Sequence, residues 1–388
     1  IDFGTSGVRL IAINENEKIV ASSQKSIESP KIQGPSSIQD PNIWWKTFLL
    51  SLKEIKNIVN LNNIEKISVD GTSGTVLICD LNGKPLTEAL MYNDASSLEE
   101  SKYISKISYN DPLFSSPNNA LARALNLINK YKLKSNFKIF HQADWIIGNL
   151  LGYFEHSDNN NCLKLGYDSQ KKEWHEWIND MPIKKNVFPK VNIPGQELGN
   201  ISIDLVNEFG INSNCRIVAG TTDGVASFLA TGASKIGDCV TSIGSTMVIK
   251  SISSKPIFNK EFGIYSHRLG NIWLPGGASN VGGQILKSLF KDKIDYFSEK
   301  INTEKITGYN YYPLLKPGER FPINDINYEP ILTPRPDNNI EFFQAVLGGI
   351  TYVEKSCYKK LEELGTKYPS SIFSVGGGSH NYKWNILR

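Results

Sequence analysis

Asp223 stands between Gly220 and Gly224 at the end of the apolar run Ile217-Val218-Ala219, where a strand delivers a carboxylate into an open turn. An acid placed there can take the proton from an attacking hydroxyl. Further on, Ser242-Ile243 and Met247-Val248 read as strands around the turn Gly244-Ser245-Thr246, whose backbone N–H groups and hydroxyls can hold a phosphate. Asp2-Phe3-Gly4-Thr5-Ser6-Gly7-Val8 aligns with this second stretch, and Gly71-Thr72-Ser73-Gly74 makes a looser third copy. One such turn marks an ordinary hairpin. Two matching copies about half a chain apart point to a duplicated fold facing a shared anion.

Several elements must position these residues. Ile1 to Ile13 and Lys18 to Ser23 read as paired strands, and Asp40-Pro41 supplies an N-cap and a first-turn proline. Trp44, Phe48, Leu52 and Ile55 then follow at helical spacing. Ile64 to Val69 is a strand delivering Asp70-Gly71-Thr72-Ser73-Gly74, and Val76 to Cys79 is a returning strand. His141 opens a helix, and Ser157-Asp158-Asn159-Asn160-Asn161 through Tyr167-Asp168 reads as a polar turn with Asx hydrogen bonds. Glu341 to Leu364 is an amphipathic core helix stopped by Gly365, and its Gly348 is explained only by close packing.

With these motifs in order, the chain resembles the FGGY carbohydrate kinases of the actin, hexokinase and sugar kinase superfamily, and within them the ribulose and xylulose kinase-like branch of oxygenic phototrophs. The resemblance implies an α/β, two-domain actin-like ATPase (ribonuclease H-like) sugar kinase fold. It assigns residues 1–230 to a sugar-binding domain and 231–388 to a nucleotide-binding domain truncated at its end. ATP and Mg²⁺ are the implied cofactors, and a small-molecule sugar is the implied partner. Gly4, Thr5, Ser6, Gly244, Ser245 and Thr246 would cradle phosphates. Asp2 would hold the metal through its hydration shell and touch the sugar, and Asp223 would be the base, with Thr5 beside them.

The closing Gly376-Gly377-Gly378 resembles the family's adenosine motif. A helix starting near Ser379 would put Asn381 and Trp384 on one face, free to bond and stack a purine. Gly276-Gly277-Ala278-Ser279-Asn280-Val281-Gly282-Gly283 reads as a glycine-rich turn into a helix on the nucleotide side, and Met91-Tyr92-Asn93-Asp94 sits where the family has a sugar-site motif. The stretch Ser157 to Asp168, besides its reading as a polar turn, resembles a family loop that buttresses the sugar cleft. Arg123 reads as a surface or structural cation. Ser73 replaces the Met and His of the Gly-Gln-Met-His-Gly loop of xylulose kinases. That change favours D-ribulose as the substrate, with xylulose, or a non-catalytic sugar or nucleotide sensor, as alternatives.

Composition narrows the classes. A net charge of +3 over 388 residues, with no basic block, argues against nucleic acid. Five scattered cysteines without CxxC spacing and five unclustered histidines give no metal cage, and suit reduced thiols in a cytoplasmic setting. No apolar run approaches the ~20 residues of a membrane span, and no Gly-x-x-x-x-Gly-Lys-Ser/Thr loop is present. Ile1 and Arg388 both fall inside element patterns, so the chain reads as a fragment.

Overall fold

The structure, a computed structural model, describes every residue except Ile306. The chain forms two compact units, Ile1–Ala226 with His267–Gly270, and Ser227–Ser266 with Asn271–Arg388.

The first unit is built on a five-stranded sheet in the order Thr221–Thr222, Asp70–Gly71, Asp2–Phe3, Gly7–Ile13, Ile19–Ser26. The first three strands run parallel and the last two antiparallel. Along Gly7–Ile13, Val8 and Leu10 are buried while Arg9 and Ile11 are exposed, the alternation of a strand with one covered face. The cover is the helix Pro41–Lys56, which Asp40 caps by accepting from the Asn42 N–H at 2.9 Å. It buries Trp44, Phe48, Leu52 and Ile55 in the core shared with that sheet.

A second sheet runs Phe137–His141, Val76–Asp80, Ala89–Leu90, Ser36–Gln39, Lys31–Gln33. Val76 to Cys79 are buried without alternation, as expected of a strand covered on both faces. On the helix Ala120–Lys130, Arg123 is fully buried and donates to the carbonyls of Met91 and Asn118. It is therefore a structural cation and not a surface one. Asp94 is also buried, accepting from the Ser37 N–H at 2.7 Å and the Ser96 hydroxyl at 2.7 Å, so it braces this region instead of facing a ligand.

The second unit carries a sheet in the order Tyr265–Leu269, Ile272–Ser279, Met247–Ser251, Asp238–Ile243, Ser371–Val375. Of the Gly276 to Gly283 run, Gly276 and Gly277 lie inside a strand, and only residues 280–282 form the turn that leads into the helix Gly283–Phe290. A Cβ on Gly276 would come within 2.4 Å of the Ile249 carbonyl oxygen, so the glycine permits close strand approach. The helix Asn339–Glu363 is capped by Asn338 and buries Phe343, Val346, Leu347, Ile350, Val353, Cys357 and Leu361. Gly365 follows it at φ +113°, a left-handed stop.

Gly348 is exposed, with nothing within 4 Å of an added Cβ, so close packing does not explain it. The packed glycine is its neighbour Gly349, whose Cβ would meet Tyr311 at 2.9 Å. Glu319, buried, accepts from the Ser279 hydroxyl at 2.7 Å, the Asn280 N–H at 2.8 Å and the Tyr312 hydroxyl at 2.9 Å. These bonds make the Gly318-Glu319-Arg320 loop a structural brace. All five cysteines are buried and unpaired. Among the described residues no helix is long and apolar enough to cross a membrane.

Candidate active site

Register assembles the first half of the site. Phe3 pairs with Gly71, and Gly71 pairs with Thr222, on three adjacent parallel strands. The segments that follow, Gly4-Thr5-Ser6, Thr72-Ser73-Gly74 and Asp223-Gly224, therefore all leave the same edge of one sheet. Loops beyond the carboxyl ends of parallel strands are where open α/β sheets place ligands. The close spacing requires Gly220, because a Cβ there would overlap the Val69 carbonyl oxygen at 1.6 Å.

The first hairpin is held by its backbone: Gly4 N–H donates to Gly7 C=O at 2.9 Å, and the Thr5 and Ser6 carbonyls accept from Gln39 Nε2 and Ile27 N–H. Neither the Thr5 nor the Ser6 hydroxyl bonds a described residue. The second hairpin repeats the plan. Gly244 N–H donates to Thr246 C=O at 3.0 Å, while the Gly244 and Ser245 carbonyls accept from Gly283 and Gln284. Each turn thus spends its carbonyls on the scaffold and leaves its hydroxyls for an anion.

Three carboxylates gather at the strand ends. Asp2 accepts from Arg9 Nη1 at 3.0 Å, and Asp223 opens the helix Asp223–Leu229, accepting from the Gly224 N–H at 2.6 Å. The third is Asp70, directly opposite Asp2. Burial, then the Asp2 carboxylate and the added repulsion of Asp223, push Asp70 up to about 7. Such an excess of negative charge fits a cation. Among the described residues no group of three acids, histidines or cysteines can cage a metal. Mg²⁺, which keeps most of its waters and binds through one carboxylate and substrate phosphates, suits that donor set.

Behind these groups lies a polar scaffold. Asp158 accepts from the Asn160 and Asn161 N–H groups, capping the short helix Asn159–Cys162. Asn160, buried, donates to Thr221 Oγ1 at 3.0 Å and the Arg268 carbonyl at 3.0 Å, and accepts from the Arg268 N–H at 2.8 Å. It clamps the strand that delivers Asp223. Gln142 Oε1 accepts from the Thr72 N–H at 3.0 Å and hydroxyl at 2.9 Å, which fixes the third loop. At the tip of that loop, Ser73 Oγ accepts from Lys164 Nζ at 3.2 Å. Sequence reading overlooked Asp70 and Gln142 as site residues, whereas Asn160 and Lys164 fall in the stretch Ser157 to Asp168 that resembles a cleft-buttressing loop. Asp70 carried a signal, since like Asp2 it closes a strand ahead of a glycine turn.

In the second unit, Ser242 pairs with Val375 on parallel strands, so the Gly244 turn and the Gly376-Gly377-Gly378 run leave one sheet edge together. Gly376, at φ +85°, wraps over Ile243, where a Cβ would meet the carbonyl oxygen at 2.7 Å. Beside the run lies a cavity of about 590 Å³ lined by Leu286, Lys287, Ser298, Gly377, Gly378 and Asn381, with Trp384 at its wall.

Two expectations are corrected here. Trp384 is 1% exposed, packed under Gly378, with its indole N–H donated to Thr351 Oγ1 at 3.1 Å, so it is part of the cavity's core and not a free stacking ring. Asn381 is the N-cap of the helix Tyr382–Leu387. It accepts from the Trp384 N–H at 3.0 Å and donates to Ser298 Oγ at 2.7 Å, so its amide is already engaged.

Matching glycine hairpins, one in each α/β unit, and acids at the strand ends of the first unit define a two-domain actin-like ATPase fold. The N-terminal domain described for the FGGY family of carbohydrate kinases matches residues 1–230. The chain belongs to that family, whose kinases use ATP and Mg²⁺. It is 25% identical over 406 residues to the xylulose kinase of Staphylococcus xylosus, covering 99% of this chain and 83% of that protein. In three dimensions it is similar to a xyloylose kinase from Brucella ovis (TM-score 0.90, 19% identity, covering 100% of this chain and 83% of that one). A ligand-bound xylulose kinase from Lactobacillus acidophilus is also similar (TM-score 0.83, 20% identity, covering 97% and 80%). The relatives' names support the family without the narrower phototroph ribulose branch.

Proposed function

We propose that this carbohydrate kinase transfers the terminal phosphoryl group of ATP to a hydroxyl of a pentulose. The observation that carries the reading is the shared register of Phe3, Gly71 and Thr222, which gathers Asp2, Thr5, Ser73 and Asp223 at one sheet edge. Phosphoryl transfer asks for positioning and charge neutralisation more than for covalent chemistry. Asp223 accepts the proton of the attacking hydroxyl. Gly4-Thr5-Ser6 and Gly244-Ser245-Thr246 cradle phosphates through N–H and O–H donors, and the cavity beside Gly376-Gly377-Gly378 takes the nucleoside. Bound Mg²⁺, held near Asp2, neutralises the charge of the phosphates.

D-xylulose is the substrate favoured by similarity along almost the whole chain to proteins named xylulose kinases. D-ribulose is a second reading, favoured by the small hydroxyl-bearing loop Thr72-Ser73-Gly74 in place of bulkier side chains. The test is ADP release from ATP and Mg²⁺ with each ketopentose in turn. A pentulose-dependent rate well above the background is expected, and the larger kcat/KM identifies the substrate. A rate that no pentulose raises would overturn the proposal.

A further inference from the structure

Lys164 sits in the turn Leu163–Leu165, between two side chains buried in the core of the first unit, and Gly166 ends the turn at φ +98°. Its backbone is thereby fixed, and its partly buried ammonium reaches Ser73 Oγ at 3.2 Å across 91 positions of sequence. No carboxylate among the described residues pairs with it. A partly buried ammonium left with one neutral partner is costly, so its remaining N–H groups call for an acceptor.

The contact also orients Ser73. An ammonium only donates, so it occupies a lone pair of the serine oxygen and turns the hydroxyl proton away from itself. Two donors, Lys164 N–H and Ser73 O–H, are then presented side by side at the tip of a loop that leaves the same sheet edge as Asp223. Two donors beside a single remaining lone pair on Ser73 Oγ favour an oxygen that accepts twice over one that must also donate.

Resting on the pentulose kinase reading above, we infer that Lys164 and Ser73 bind the carbonyl oxygen of an open-chain ketose, making Lys164 a substrate-positioning and specificity residue. The pentitol, with a hydroxyl in place of that carbonyl, brings a proton toward two groups that both present N–H or O–H donors, with only the second lone pair of Ser73 Oγ left to take it. A site built on such bonds rejects the analogue that leaves a polar group unpaired.

The experiment compares kcat/KM for the preferred pentulose and for its pentitol, in the wild type, Lys164→Met and Lys164→Arg. Thermal melts monitor folding. The wild type should favour the ketose strongly. Lys164→Met should lower its kcat/KM by about 10- to 100-fold, the effect of losing a hydrogen bond to a charged group. Pentitol turnover and the KM for ATP should change little, so the ketose-to-pentitol ratio collapses, and Lys164→Arg should restore part of it. A general packing defect would instead lower both substrates together, and that result, or an unchanged ratio in a folded Lys164→Met protein, or a ratio in folded Lys164→Arg no better than that of Lys164→Met, overturns the inference alone. If the wild type turns over no pentulose, the kinase reading falls and this inference falls with it.

Discussion

Asp2 and Asp70 stand directly opposite each other on neighbouring parallel strands, so both carboxylates project from one face of the sheet. Two like charges so placed cannot both ionise cheaply when one of them is partly buried. Asp70 yields, and is pushed up to about 7 by burial and then by Asp2.

The folded pKa of Asp70 lies above the ~3.9 of an unfolded aspartate, so its neutral form supports the fold. That support is complete below the unfolded pKa and is lost as pH rises through about 7. Asp70→Asn, which copies the neutral acid, should be more stable than the wild type by up to about 4 kcal/mol at pH 8 and equal to it near pH 4. Denaturant unfolding in metal-free buffer at both pH values checks this. A stability gap that widened toward acid pH would contradict it.

Much of this arrangement is visible in the sequence, because strand ends and glycine turns write themselves locally. The Gly4 and Gly244 hairpins, the Asp40 cap and the helix closed by Gly365 each depend on residues a few positions apart. The stretch holding Asn160 and Lys164 is visible as a motif, but their individual contacts are not, because their partners, Thr221 and Ser73, lie far along the chain. Trp384 misled for a related reason. Spacing of i and i+3 defines a helix face but does not say whether that face meets solvent, and here it packs into the core beneath Gly378.

Trp384→Ala is accordingly expected to act first on stability. Removing a fully buried tryptophan costs about 3–5 kcal/mol, so the thermal midpoint should fall by several degrees. Trp384→Phe should recover most of the loss while lacking the bond to Thr351. A melt of Trp384→Ala that matches the wild type would show the ring to be dispensable to the fold.

Asn160 holds Thr221, two residues before Asp223, through a side chain whose donors and acceptor are all used. Asn160→Ala should reduce kcat by roughly 10- to 100-fold through misplacement of the base, with the KM for ATP nearly unchanged. Steady-state kinetics with both substrates varied separates these outcomes. A rise in the KM for ATP with kcat intact would assign the clamp to nucleotide binding instead.

The central claim is that Asp223 is the base for phosphoryl transfer to a pentulose. Its most direct test is the rate of pentulose-dependent ADP release by Asp223→Ala beside the wild type, with ATP affinity measured on both proteins. A drop of ~10²- to 10⁴-fold in that rate, the usual contribution of a general base, with ATP affinity retained, is the predicted result. Pentulose-dependent turnover close to that of the wild type in Asp223→Ala would contradict the account.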